Sequence, residues 1–450
     1  MSEDSPSRIV ITTEELADAH IDEVLRHQKS FFTPPAPVPK SKFRLVYAAW
    51  FYLMVAGALG ALAGWAVMEP SFRDQIGFTG KVEAVEPDEM GPFRGPVTIQ
   101  GRLSVAGVNV YVAPSETKIR RPGETNKLSL RDIAAGDIVS VRGIKTSQDN
   151  AVVAIAVRLE DRRTPPDPMV DLASLDFQQK LFGFIFLPVV AGFIGFAVGG
   201  VEGIVCRTYA RAAWCAAIGL VAGLLGGALS TFVAGIIYAI LGELVPGSPT
   251  ASGAAFVFQM FRRGLAWTVA GMAVGLGQGF ALKSSKLKFN GFVGGIVGGL
   301  IGGLLFDPIS LLLTSQDGFS GAGLSRAVGI AVIGCSVGLM IGFTDLLSRD
   351  AWLKVLTGPL HGKEFSFNVT PVRVGSSPKN EIYLFKDPKI DPLHAEINKL
   401  RDAYEIVDNK SKTGTFVNGQ PVGRARLSDG ARIRIGDSEF SFACRERATR

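Results

Sequence analysis

The sequence predicts a multidomain membrane protein: a six-helix α transmembrane bundle, an all-β domain inserted after the first span, and a C-terminal all-β sandwich. Three observations predict it. Long uncharged apolar runs recur between residues 45 and 344. A mean hydropathy of +0.27 accompanies 53 glycines and only 20% charged residues. Two regions of short alternating segments break or follow the apolar runs. A bilayer requires such runs and an ordinary soluble core does not. The formal net charge of +6 is modest, and membrane topology explains basic residues beside the runs without invoking nucleic acid.

Residues 1–44 form a tail and a proline-rich linker. The opening MSEDSPSRIVITTEELADAH is acidic and polar, unlike a cleavable signal peptide. From Thr13 to Lys29, Leu16, Ala19, His20 and Val24 fall near one face of a short amphipathic helix. TPPAPVPKSK then continues extended, because proline fixes φ and cannot propagate a helix.

The first span, 45–68, follows Lys40, Lys42 and Arg44 and opens on Tyr47, Trp50, Phe51 and Tyr52. A basic flank with an aromatic belt puts the N-terminus in the cytoplasm of a cell bounded by this inner membrane. Five further runs occupy 179–348, at Leu181–Val201, Ala212–Leu241, Gly264–Leu282, Phe289–Phe306 and Ala327–Thr344. Six spans return the C-terminus to the same side. Arg207, Arg211, Lys283, Lys286, Lys288, Arg349 and Lys354 all fall on that side. Arg262 and Arg263 are the exception: they fit either snorkelling from an interfacial helix containing FVFQMF or a different span count.

Within this bundle GFAVGGVEG, GMAVGLGQG and GCSVGLMIG, from Gly195, Gly271 and Gly334, place glycine at i, i+4 and i+8. Glycines four apart share a helix face and let backbones approach closely. Packing within one bundle explains them; an oligomeric pore is the alternative. Glu202, Glu243, Asp307 and Asp345 all lie close to span ends, and Gln278 and Ile341 stand at the repeat position of Glu202. That arrangement is poor support for a mid-membrane ion relay. Asp307-Pro308 is expected to end a helix.

Residues 69–178 contain TGKVEAVEP, GPVTIQGRLSVAGVNVYVAP, DIVSVRGIK and AVVAIAVRLE, separated by glycine, proline and asparagine turns. At least five strands in about ninety residues make a small barrel or sandwich. Val139 and Val141 share one face of a strand entered through Gly136-Asp137. The segment has no histidine and no cysteine, and Arg120, Arg121 and Lys127 read as a solvated loop. In order and motif it resembles a bacterial extracytoplasmic OB-like domain of the DUF5666 type, which implies a five-stranded barrel with no established catalytic residues.

In residues 349–450, Val372 and Val374, Ile433 and Ile435, and Phe440 and Phe442 alternate as strands do. Gly375, Asn418-Gly419 and Gly436-Asp437 supply turns. Such spacing makes a two-sheet β-sandwich with loops gathered at one end. The ordered segments FSFNVTPVRVGS, NEIYLFKDPKIDPLHAEI, YEIVDNKSKTGTFVNGQPV and RLSDGARIRIGDSEFSF resemble a forkhead-associated (FHA) domain. That resemblance implies a phosphothreonine site built from an arginine after a strand-ending glycine, a serine three residues before a histidine, and an asparagine before Gly-Thr. Gly375, His394 and Gly414 match, while Ser376, Asp391 and Thr413 stand where the arginine, serine and asparagine belong. A carboxylate at Asp391 repels a phosphate carrying about −1.5 to −2 charges. Lys379, Lys389, Lys410 and Lys412 could offset that repulsion, although loop lysines are usually solvated.

The expected partner site is therefore Gly375, Ser376 and Lys379, Asp391 and His394, Ser411, Thr413, Gly414 and Thr415, with Asn418 in the following turn. Its ligand is a cytoplasmic protein or peptide, phosphorylated or not, with phosphothreonine specificity weakened or lost. His394 is expected to support a loop by hydrogen bonds.

No zinc spacing, P-loop or nucleophile–histidine pair is present, and Cys206, Cys215, Cys335 and Cys444 show no framework spacing. No enzyme activity, metal or cofactor is expected; the lone His361 in GPLHGKEF fits a strand-entry turn. The favoured class is a membrane scaffold or signalling adaptor in contact with the lipid bilayer, with no nucleic-acid partner and with homo-oligomers left open. A transporter or channel regulated by the sandwich is the competing class, and ion or substrate flux in proteoliposomes discriminates the two.

Overall fold

The computed structural model describes residues 45–71, 76–87, 101–113, 117–121, 128–145, 151–161, 163–165, 172–242, 253–313, 322–401 and 403–445. The amphipathic stretch Thr13–Lys29, the proline-rich linker, Lys127 and Glu243 lie outside them. The chain divides into two units, 63–189 and 1–62 with 190–450.

Among the described residues there are six helices: α1 (Ala49–Met68), α2 (Leu172–Val205), α3 (Tyr209–Gly242), α4 (Gly253–Ala281), α5 (Ser285–Leu313) and α6 (Ala322–Ser348). Five contain a segment long and apolar enough to cross a membrane: 49–68, 181–205, 209–236, 285–313 and 323–348. α4 falls outside that set because it carries Arg262, Arg263 and Gln278 among many glycines and alanines. FVFQMF is part of this same continuous helix. Arg263 makes a two-point ion pair with Asp307 of α5, at 3.2 Å, and its guanidinium lies 4.1 Å from the centre of the Phe306 ring. Asp307-Pro308 does not end a helix: α5 runs through Pro308 to Leu313. The apolar run on both sides of Pro308 outweighs one missing backbone hydrogen bond, and Asp307 is held from the neighbouring helix.

The glycines of all three repeats lie where neighbouring backbones meet. A methyl group on Gly195, Gly199 or Gly203 would strike α3, one on Gly271, Gly275 or Gly279 would strike α5, and one on Gly334, Gly338 or Gly342 would strike α1. Two hairpin turns repeat the same local solution. After α2, Arg207 adopts φ 58°, Thr208 N donates to Gly203 O and Arg207 N to Ile204 O. After α4, Lys283 adopts φ 52°, Ser284 N donates to Gly279 O and Lys283 N to Phe280 O. This is the paired 6→1 and 5→2 bonding that closes a helix C-terminus, here with a cation where the helix dipole favours one.

The unit at 63–189 holds a closed five-stranded barrel. β1 (Ile76–Glu86) pairs antiparallel with β5 (Ile138–Lys145) along its first half and with β2 (Gly101–Val105) along its second. β2 turns into β3 (Val108–Val112) through Ala106-Gly107, both at positive φ, the backbone that matches strand twist in a two-residue hairpin. β6 (Ala151–Leu159) closes the ring, antiparallel to β5 and parallel to β3, and β4 (Lys118–Arg120) extends its edge. Val82, Leu103, Val110, Val139, Val141 and Val152 point inward and are fully buried.

Two residues separate α6 from the C-terminal sandwich. One sheet contains β9 (Val372–Gly375), β10 (Ile382–Tyr383), β11 (Ala395–Lys399), β12 (Tyr404–Asp408) and β15 (Arg424–Leu427). The other contains β7 (Ala351–Thr357), β8 (Glu364–Ser366), β13 (Thr415–Val417), β14 (Gln420–Val422), β16 (Arg432–Ile435) and β17 (Ser438–Cys444). Alternation along β9, β11, β16 and β17 sends Val374, Ile397, Ile433, Phe440 and Phe442 into the core between the sheets. Cys206 and Tyr47, from the bundle, join that same apolar cluster.

Candidate functional site: the loop end of the sandwich

Three loops meet beyond the ends of β9, β10 and β12. Gly375 ends β9 against the 391–392 backbone, where a methyl group would collide with the Pro392 carbonyl. That close approach lets Ser376 N donate to Asp391 O at 3.0 Å and Ser377 N to Pro392 O at 3.2 Å. Asn380, buried, adds its side-chain amide to the Pro392 carbonyl at 2.6 Å. In the sequence Asn380 carries no signal beyond an asparagine opening the Asn-Glu-Ile strand entry.

His394, fully buried, ties the second loop to the third. Its Nδ1 accepts the Asp391 amide at 3.3 Å, leaving Nε2 to donate to Gly414 O at 3.3 Å. The third loop is built around Asp408. Its carboxylate accepts Ser411 Oγ at 2.6 Å, Thr415 Oγ1 at 2.7 Å and Ser411 N at 3.0 Å. Ser411 Oγ in turn accepts Gly414 N at 3.0 Å. Burial works against the Asp408 charge, but these donors outweigh it and hold its pKa below the ordinary carboxylate value. Gly414 sits at φ 76°, in the left-handed region that lets the loop turn back into β13.

Asp391, where the FHA pattern has serine, accepts the Lys412 amide on its carboxylate at 2.7 Å. Thr413, where the pattern has asparagine, donates to Lys389 O at 2.7 Å. Ser376 leaves its position without a guanidinium. Lys389 is committed to Asp437, at 2.7 Å, which raises its pKa, while Lys379, Lys410 and Lys412 are exposed. Nine of the ten expected residues thus lie on three mutually bonded loops. Asn418 belongs to the β13–β14 turn, at φ 50°, exchanging hydrogen bonds with the Arg432 backbone at 2.8 and 2.9 Å. Among the described residues no group of histidine, cysteine and carboxylates could hold a metal ion.

Residues 372–436 match the model of the FHA domain. The oxoglutarate dehydrogenase inhibitor of Corynebacterium jeikeium is 35% identical over 101 residues, 22% of this chain and 69% of that one. The glycogen accumulation regulator GarA of Mycolicibacterium smegmatis is 32% identical over 105 residues, 23% of this chain and 66% of that one. The solved FHA domain of a Chlamydia trachomatis protein is 28% identical, with a TM-score of 0.21, covering 22% of this chain and 100% of that one. The chain thus spans about two thirds of the length of these curated relatives. Through that sandwich, the chain belongs to the FHA family of protein-interaction modules.

Proposed function

We propose that this protein is a membrane-embedded scaffold or signalling adaptor whose FHA domain binds a protein or peptide partner with weakened or lost dependence on phosphothreonine. The observation that carries this reading is the Asp391–Lys412 bond: an anion of the chain itself already occupies a backbone donor among the recognition loops. A phosphate entering there meets a carboxylate, with no guanidinium at position 376 to offset it. The relatives' names, an inhibitor and a regulator, support an adaptor role over an enzyme. We place the sandwich and the N-terminus in the cytoplasm, from the basic residues beside the hairpin turns, and count α4 as a sixth span. The barrel, following the first span, then lies outside the cytoplasm. Its ring order β1-β2-β3-β6-β5, with one parallel pairing, supports an OB-like assignment.

The test uses the full chain in nanodiscs, offered matched phosphothreonine and unmodified peptide libraries. The native protein is expected to show no preference, and Ser376→Arg/Asp391→Ser is expected to gain one. Phosphopeptide preference in the native protein would sink this reading and assign the loop lysines the role of the missing arginine.

A further inference from the structure

Among the polar contacts between the bundle and the sandwich, two bear on the loops. The first is Lys363, in the turn between β7 and β8, whose side chain is 1% exposed. Its ammonium donates to Tyr52 Oη of α1 at 3.0 Å and lies 4.0 Å from Glu202 Oε1 of α2. The other Glu202 oxygen accepts Gln278 Nε2 of α4 at 2.9 Å. Burial disfavours the Lys363 charge, yet the Tyr52 oxygen, Cys206 and Glu202 outweigh it and raise its pKa. Glu202, Gln278 and Ile341 hold equivalent places in the three glycine repeats, and all three line, together with Lys363, one cavity of about 30 Å³. A side chain of the sandwich thus lies against the point where the repeats converge. Asp345 of α6 completes the seat by accepting Ser366 Oγ at 3.3 Å and Asn368 Nδ2 at 3.2 Å.

The second grip falls on the partner loop. Arg211, in the first turn of α3, donates through Nη2 to the carbonyls of Asn380 at 3.1 Å and Lys379 at 3.4 Å. Arg207, in the turn just before, lies 4.7 Å from the centre of the Phe385 ring. Asn380 passes the constraint on, because its side chain holds the Pro392 carbonyl beside Asp391. One continuous path of hydrogen bonds and backbone therefore runs from a membrane hairpin through Asn380, Pro392 and Asp391 to the Lys412 amide.

We propose that the bundle is part of the partner site: Arg211 is a positioning residue that holds the 376–380 loop in its binding geometry, and the seated Lys363 fixes the sandwich so that it can. The proposal rests on assigning those loops to the partner. Its test is independent of any partner, so the two can fail separately.

The experiment is hydrogen–deuterium exchange on the full chain in nanodiscs, without peptide. In Arg211→Gln, amides in 376–380 and at Lys412 are expected to exchange about tenfold faster, the effect of losing a charged hydrogen bond. Amides of the sandwich core, such as Ile433 and Phe442, are expected to keep the native rate. Arg211→Lys, which retains a charged donor, should keep most of the loop protection. Lys363→Met, which retains the apolar stem, should loosen the same loop without opening the core. Unchanged loop exchange in Arg211→Gln overturns the proposal. So does equal acceleration in the core, which would reduce Arg211 to a general stabiliser, or loss in Arg211→Lys as large as in Arg211→Gln.

Discussion

The FHA sandwich uses lysine in opposite ways at its seat against the bundle and on the three loops around Gly375, His394 and Gly414. Lys363 is buried, donates to a phenol more than three hundred residues away in sequence, and faces a carboxylate. Lys379, Lys410 and Lys412 are exposed on loops whose backbone hydrogen bonds are made without their side chains. A buried cation is tolerated only where its partners are fixed, so the seat is built for one occupant. A solvated lysine specifies little by itself and remains free to meet whatever docks. The domain has one end committed to its own chain and another whose lysines face solvent.

The sharpest way to break this contrast is Lys363→Ala. Removing one member of a buried, hydrogen-bonded pair costs about 3 kcal/mol or more, and here the loss falls on the contact between sandwich and bundle. Cys206, buried in the shared apolar cluster, reports it. Its alkylation, located by peptide mass spectrometry, is expected to accelerate roughly a hundredfold, that free energy expressed as a rate ratio. An unchanged Cys206 rate would mean that Lys363 is not what seats the domain.

A smaller effect belongs to Asp408, which organises the loop between β12 and β13. Asp408→Asn keeps the size but loses the charge that Ser411 and Thr415 bond, and should cost about 1–2 kcal/mol. It should be read as faster exchange of the Ser411 and Gly414 amides. The pH dependence has a definite sign. The folded pKa lies below the unfolded one, so the stabilisation is present above about pH 4 and is lost as pH falls through the depressed folded value. Loop protection that rose on acidification would contradict this account. The smallest change is expected for Lys412→Gln, within about 0.5 kcal/mol in stability. A larger loss in thermal unfolding would show that this loop lysine is structural after all.

Much of this architecture was legible in the sequence, and the gaps have physical causes. The apolar runs and the alternation around Val372, Ile433 and Phe440 are local signals, and helices, barrel and sandwich appear where they fall. Pro308 misled because proline is read as a helix stop, whereas a neighbouring arginine and a continuous apolar face carry α5 through it. The three interlocked loops of the sandwich could be located because Gly375, His394 and Gly414 keep their spacing. Asn380 was passed over, since a buried asparagine in a turn looks like a solvated one until its partner is seen. Lys363 had no local signal at all. In His-Gly-Lys-Glu it reads as a turn lysine, and only Tyr52, Glu202 and Gln278, brought together from three helices, give it meaning.

The glycine seams carry one last consequence. Where Gly271 meets Gly295 and Gly275 meets Gly291, backbone rests on backbone with no side chain between. Side chains cushion most helix contacts, since a rotamer change absorbs a small shift before it travels. These seams have no such cushion. A displacement at one end of the α4–α5 hairpin should therefore arrive at the other with little attenuation, and the hairpin should behave as a push-rod rather than a spring.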